Sequence, residues 1–150
     1  MVLKINAALI LTVAAAVAAC STAPSPSADG MAPIPSERLH LQALSTPTER
    51  NASKALVIVE RDHGFMLGAC MFDVFYDGTR MAKVAPGERA LFELPPGRYQ
   101  FHMEYGGIIC PAFASPSYLV DLGAGERATV RMGARTMLGF IQVRKDGEQK

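Results

Sequence analysis

From residue 54 onward the chain runs in short apolar stretches broken by turn residues about every ten positions, the pattern of an all-β sandwich or barrel. Residues 54–61 read as one buried strand, because Ala55 to Val59 is continuously apolar. Residues 70–76 alternate, with Cys70, Phe72, Val74 and Tyr76 on one face and Met71, Asp73 and Phe75 on the other. Asp77-Gly78 tolerates positive φ and predicts a tight hairpin into a strand at 79–84. Pro86-Gly87-Glu88 marks the next turn before 90–94, and Pro95-Pro96-Gly97 the next before 98–105. That last strand alternates most cleanly, with Tyr99, Phe101, Met103 and Tyr105 set against Gln100, His102 and Glu104. Segments 118–122, 128–132 and 138–144 complete the set, with Gly123-Ala124-Gly125-Glu126 turning between the first two. The expectation is an antiparallel β-sandwich of about seven to eight strands over residues 54–146, with a polar tail at 147–150.

The amino terminus has a different pattern. Lys4 precedes an almost unbroken apolar run at 5–19, shorter than the roughly 20 residues of a membrane-spanning helix and suited to a signal-peptide core. The run ends in Val17-Ala18-Ala19-Cys20-Ser21, which resembles a bacterial lipobox. That resemblance implies cleavage after residue 19 and a lipid anchor on Cys20. In proteins with this motif the thiol takes a diacylglyceryl group and the freed amine is often acylated, and two or more chains anchor stably. Ser21 stands where an aspartate would favour the inner membrane, so the expected location is the outer membrane, facing the periplasm. Residues 21–35 are rich in Pro, Ser and Ala and carry no hydrophobic period. Residues 36–53, with Leu39, Leu41 and Leu44, fit neither a clean helical nor a clean strand period and leave room for a helical turn; 20–53 as a whole is expected to be a tether.

Losing Lys4 with the leader brings 15 basic residues level with the 14 acidic ones. The basic residues are scattered, which argues against a nucleic-acid partner, whose phosphates demand a basic stripe.

Phe75-Tyr76-Asp77-Gly78, then Val84, Pro86-Gly87-Glu88 and Leu94-Pro95-Pro96-Gly97-Arg98-Tyr99, resemble the turn pattern of PEGA-like domains, over roughly residues 55–132. Such domains occur in bacterial surface proteins and small lipoproteins of unknown function. The resemblance implies a sandwich of PEGA, prealbumin or immunoglobulin-like type and an envelope-exposed, non-enzymatic module.

Cys70 and Cys110 remain once Cys20 carries lipid, and an oxidising periplasm permits a disulfide between them, with free or metal-bound thiols as alternatives. His63, Met66, Cys70 and Met71 are soft ligands that suit copper, although their spacing matches no established site. Asp62-His63 invites comparison with a hydrolytic triad, but no nucleophile elbow is present, and Ser115 and Ser117 flank a proline. Asp73 and Glu93 are a conceivable carboxylate pair across strands that reads first as solvent-facing. No cofactor motif is found.

The expected function is therefore a binding or structural role at the envelope. The membrane is reached through Cys20, and an envelope protein is the expected partner. The alternative is a periplasmic carrier of a small ligand or of copper. Residues 61–70 and 106–117 are the candidate binding loops, with Phe65, Met66, Ile108 and Ile109 as their apolar contacts.

Overall fold

A computed structural model describes residues 30–46, 48, 50–64, 69–105, 110, 113–115, 117–135 and 138–146. Eight longer strands form where turn chemistry and alternation place them: β3 (Ala55–Arg61), β4 (Phe72–Tyr76), β5 (Thr79–Val84), β6 (Glu88–Leu94), β7 (Gly97–Tyr105), β9 (Tyr118–Leu122), β10 (Arg127–Arg135) and β11 (Leu138–Lys145). Three two-residue strands join them, β1 (Ala32–Pro33), β2 (Ala43–Leu44) and β8 (Phe113–Ala114). The fold is an all-β sandwich. The first sheet has the order β1-β6-β3-β10-β11, with β2 also on β6; the second has β5-β4-β7-β8, with β9 also on β7.

Inward-facing alternation supplies the core. Val57, Val59 and Phe92 from the first sheet pack with Phe72, Val74, Phe101 and Met103 from the second, all without solvent exposure. Truncating such a phenylalanine to alanine costs about 3–5 kcal/mol. The turns are those expected. Asp77 and Gly78 both have positive φ in the β4–β5 hairpin. The Tyr99 hydroxyl donates to the Pro95 carbonyl at 2.5 Å and pins the Leu94–Gly97 bend, much as a tyrosine corner does in other sandwiches.

Two features differ from the expectation. The first sheet is mixed, not antiparallel, because β3 and β10 pair in parallel from Arg127↔Leu56 to Met132↔Arg61. Parallel neighbours need a long crossover, and the strands of the second sheet lie between β3 and β10 in the chain. The first long strand therefore lies between the fourth and the seventh. This order is distinct from the immunoglobulin order, in which the first strand pairs with the second.

The second difference is at the amino-terminal boundary, expected at residue 54. The described chain joins the sheets already at Ala32. β1 runs parallel to β6, and Ile34 is buried with its N–H on the Arg89 carbonyl. A 3-10 turn at Ser36–Arg38 carries the chain across to β5, where the N–H groups of His40 and Leu41 donate to the Met81 carbonyl. It then returns to β6 as β2. Residues 32–44 thus form a strap that covers β5 and β6, the edge strands on one side of the sandwich. Edges left bare invite unwanted pairing, which explains the cover. Cys20 and the start of the expected tether lie outside the described residues.

Candidate functional site

The loop-bearing end of the sandwich starts from the last turn of β3. Arg61 ends an apolar strand and is only 2% exposed. Its Nη1 donates to the carbonyls of Cys70, at 2.5 Å, and Val84, at 2.9 Å, and its guanidinium lies 3.5 Å from the Phe72 ring centroid. Burial lowers its pKa to about 10, against the opposing pull of Glu88. Arginine suits this place because a planar fork can bind two carbonyls and still stack on a ring.

Cys70 and Cys110 are joined by a disulfide across a Cα separation of 5.9 Å, and both are buried. The bond ties the segment after β3 to the segment after β7. Glu88 accepts from the Ala85 N–H at 2.7 Å and pairs with Arg38 of the strap. Asp62 is buried and takes both Nε and Nη2 of Arg131, at 2.7 and 3.0 Å. This bond raises the pKa of Arg131, with burial opposing it. His63 lies over Gly87, whose positive φ of +74 favours glycine; a Cβ there would also have to push the exposed imidazole aside. The charges at this end are spent on holding loop bases. Met71, 42% exposed, is the one large hydrophobic side chain they present to solvent among the described residues of this end.

Phe65, Met66, Ile108 and Ile109 lie outside the described residues. The other candidates are placed and come apart. Cys70 is committed to its disulfide, so the thiolate of the copper set is consumed. Asp62 orients Arg131 and not His63. The Ser115 hydroxyl accepts the Met103 N–H at 3.0 Å and is buried. Asp73 and Glu93 belong to different sheets, the first paired with Arg80 and the second with the Asn51 N–H and Lys54, so they do not face one another. Arg61 was expected as the first residue of the 61–70 binding loop, whereas it is the buried last residue of β3. Its signal was a charged pair, Glu60-Arg61, at the end of a run otherwise buried throughout.

A separate cleft of about 450 Å³ opens between the strap and the sandwich, lined among others by Leu41, Leu44, Tyr76, Phe92, Lys54 and Glu93. Lys54 and Glu93 pair across 3.7 Å there. Among the described residues no group of three or more His, Cys, Asp or Glu side chains is arranged to hold a metal ion, and no helix is long and apolar enough to cross a membrane.

No family model and no curated protein matches this chain. A solved structure that does match is the N-terminal domain of AlgF from P. aeruginosa, with 22% identity and a TM-score of 0.40, covering 64% of this chain and 96% of that domain.

Proposed function

We propose that this chain is a lipid-anchored envelope protein with a non-enzymatic binding or structural role, held at the outer membrane through Cys20 and facing the periplasm. The observation that carries the reading is the Cys70–Cys110 disulfide. It fits an oxidising compartment, and it ties the segment after β3 to the segment after β7 at one end of the sandwich, where binding loops usually sit. The hairpin and the Pro95-anchored bend support the likeness to PEGA-like lipoproteins. The occupant of the loops is an envelope protein, with Met71 beside them as a contact.

Two measurements test this. Metabolic lipid labelling should mark the wild-type chain and not Cys20→Ala. A photo-crosslinker at Met71 should capture one envelope protein in cells, whereas the same probe at Gln142, on the outer face of the first sheet, should not. Absence of lipid from the wild-type chain refutes the anchor, and equal capture from both positions refutes the loop end as the contact surface.

The cleft under the strap favours a second reading, a carrier of a small amphipathic ligand, since its volume lies in the range of ligand pockets. In that case a ligand would raise the melting temperature of the wild-type chain, and Leu44→Trp, which fills the cleft, would abolish the rise.

A further inference from the structure

Among the described residues, two of the three exposed large hydrophobic side chains are consecutive on one strand: Tyr118, 41% exposed, and Leu119, 59% exposed, both on β9. The strap covers the edges β5 and β6 on one side of the sandwich. On the opposite side β9 and β11 end their sheets, and among the described residues no strand lies beyond them.

The backbone of β9 can be oriented. Gln100 on β7 exchanges bonds with Asp77, its N–H donating to the Asp77 carboxylate at 2.8 Å and its carbonyl accepting the Asp77 N–H at 3.0 Å. Its polar groups therefore point toward β4. Successive residues of a strand point opposite ways, so Tyr99 and Phe101 point toward β9 and bond Val120 and Tyr118, their register partners. Leu119 and Asp121 must then face away from β7. The Lys145 ammonium confirms this direction by reaching the Asp121 carbonyl at 2.8 Å from outside the ladder. The N–H and C=O of Leu119 and the N–H of Asp121 are left as an open edge, and Asp121 is the only charge on the strand. Native edges are usually blunted by lysine, proline or a cover; among the described residues β9 is approached by β11 at one end, where Lys145 sits on the Asp121 carbonyl, and Leu119 lies beyond that contact.

We propose that β9 pairs antiparallel with β9 of a second copy of this chain, about a two-fold axis at Leu119. In that register the two Leu119 residues exchange both backbone bonds and cover each other's side chains. Ser117 faces Asp121 of the second copy, and Tyr118 lies beside its Val120. Shifting the axis to Asp121 would put two carboxylates opposite each other, which disfavours that alternative. The interface is isologous and closes after two copies, and it joins the second sheets of both into one by strand addition.

Sedimentation equilibrium of the full chain at high micromolar concentration tests the proposal. The expected result is a dimer that Leu119→Lys weakens about tenfold or more, with an unchanged melting temperature because Leu119 is outside the core. In a Cys20→Ser background, Leu119→Cys should form a covalent dimer under mild oxidation. Asp121→Cys should not, because its two copies would be roughly 13 Å apart in this register. A monomeric wild-type chain, a dimer that persists in Leu119→Lys, or equal crosslinking of the two cysteine variants each overturns the proposal.

Discussion

The guanidinium of Arg61 rests on the face of Phe72 and binds the carbonyls of Cys70 and Val84, so a single buried cation ties the end of β3 to the start of the disulfide loop and to the end of β5. Arg61→Met keeps the bulk but leaves those buried carbonyls without these donors. Each such group costs about 1–3 kcal/mol, so a loss of roughly 3 kcal/mol is expected in urea unfolding. Arg61→Lys should recover only part of this, since an ammonium lacks the planar fork that stacks and donates together.

The disulfide should contribute comparably. It spans a sequence separation of 40 residues, for which the chain-entropy model gives about 4 kcal/mol. Cys70→Ala with Cys110→Ala should lower stability by about that amount, measured against the oxidised wild type. Reductant should shift the wild type toward the variant and leave the variant unchanged. A wild-type midpoint insensitive to reductant would contradict this account.

How far these features were legible in the sequence depended on whether their causes were local. The Asp77-Gly78 hairpin, the Pro95–Gly97 bend and the alternation of β7 are written in neighbouring residues, and all eight longer strands lie where those signals put them. The parallel pairing of β3 with β10 is not local. Nothing near Val57 or Ala128 encodes which strand will be adjacent, and the pairing follows from how both sheets close over one core. The strap was illegible for another reason. β1 and β2 are two residues long, too short for any period, and they are strands only because β6 offers its free edge. At the candidate site the cysteine pair could be anticipated by elimination. The role of Arg61 could not, because it depends on carbonyls contributed by two other segments.

Glu60 gives a pH dependence with a defined sign. It stands between Arg89 and Arg131 in register on the outer face of the first sheet. Burial raises its pKa above 4.5 and outweighs the lowering by those arginines, with Asp62 adding to the rise. A carboxyl that holds its proton more tightly when folded favours the native state below its unfolded pKa. That benefit is lost as pH rises through the folded value. Glu60→Gln should therefore be more stable than wild type at pH 7, and the difference should vanish below about pH 4.5. Urea titrations of both chains across this range would check it, and a variant less stable at pH 7 would show that the arginine pairing prevails over burial.

The strap makes the position of the domain boundary a measurable quantity. Ile34 is 5% exposed and its N–H donates to the Arg89 carbonyl at 3.1 Å, so β1 is fastened both by burial and by the ladder. Ile34→Asp places a carboxylate in that apolar site without a described partner, and a loss of about 3 kcal/mol or more follows from the lost packing and the desolvated charge. The damage should be spatially selective. Hydrogen exchange should accelerate at Arg89 and Leu91, whose backbone faces the strap, while Val57 and Val59 on central β3 keep their protection until global unfolding. A chain beginning at residue 54 should show the same loss in full and associate through the bared edges of β5 and β6. If that shortened chain is instead as stable as one beginning at residue 30, the strap contributes nothing to the fold and the boundary belongs where the hydrophobic pattern first put it.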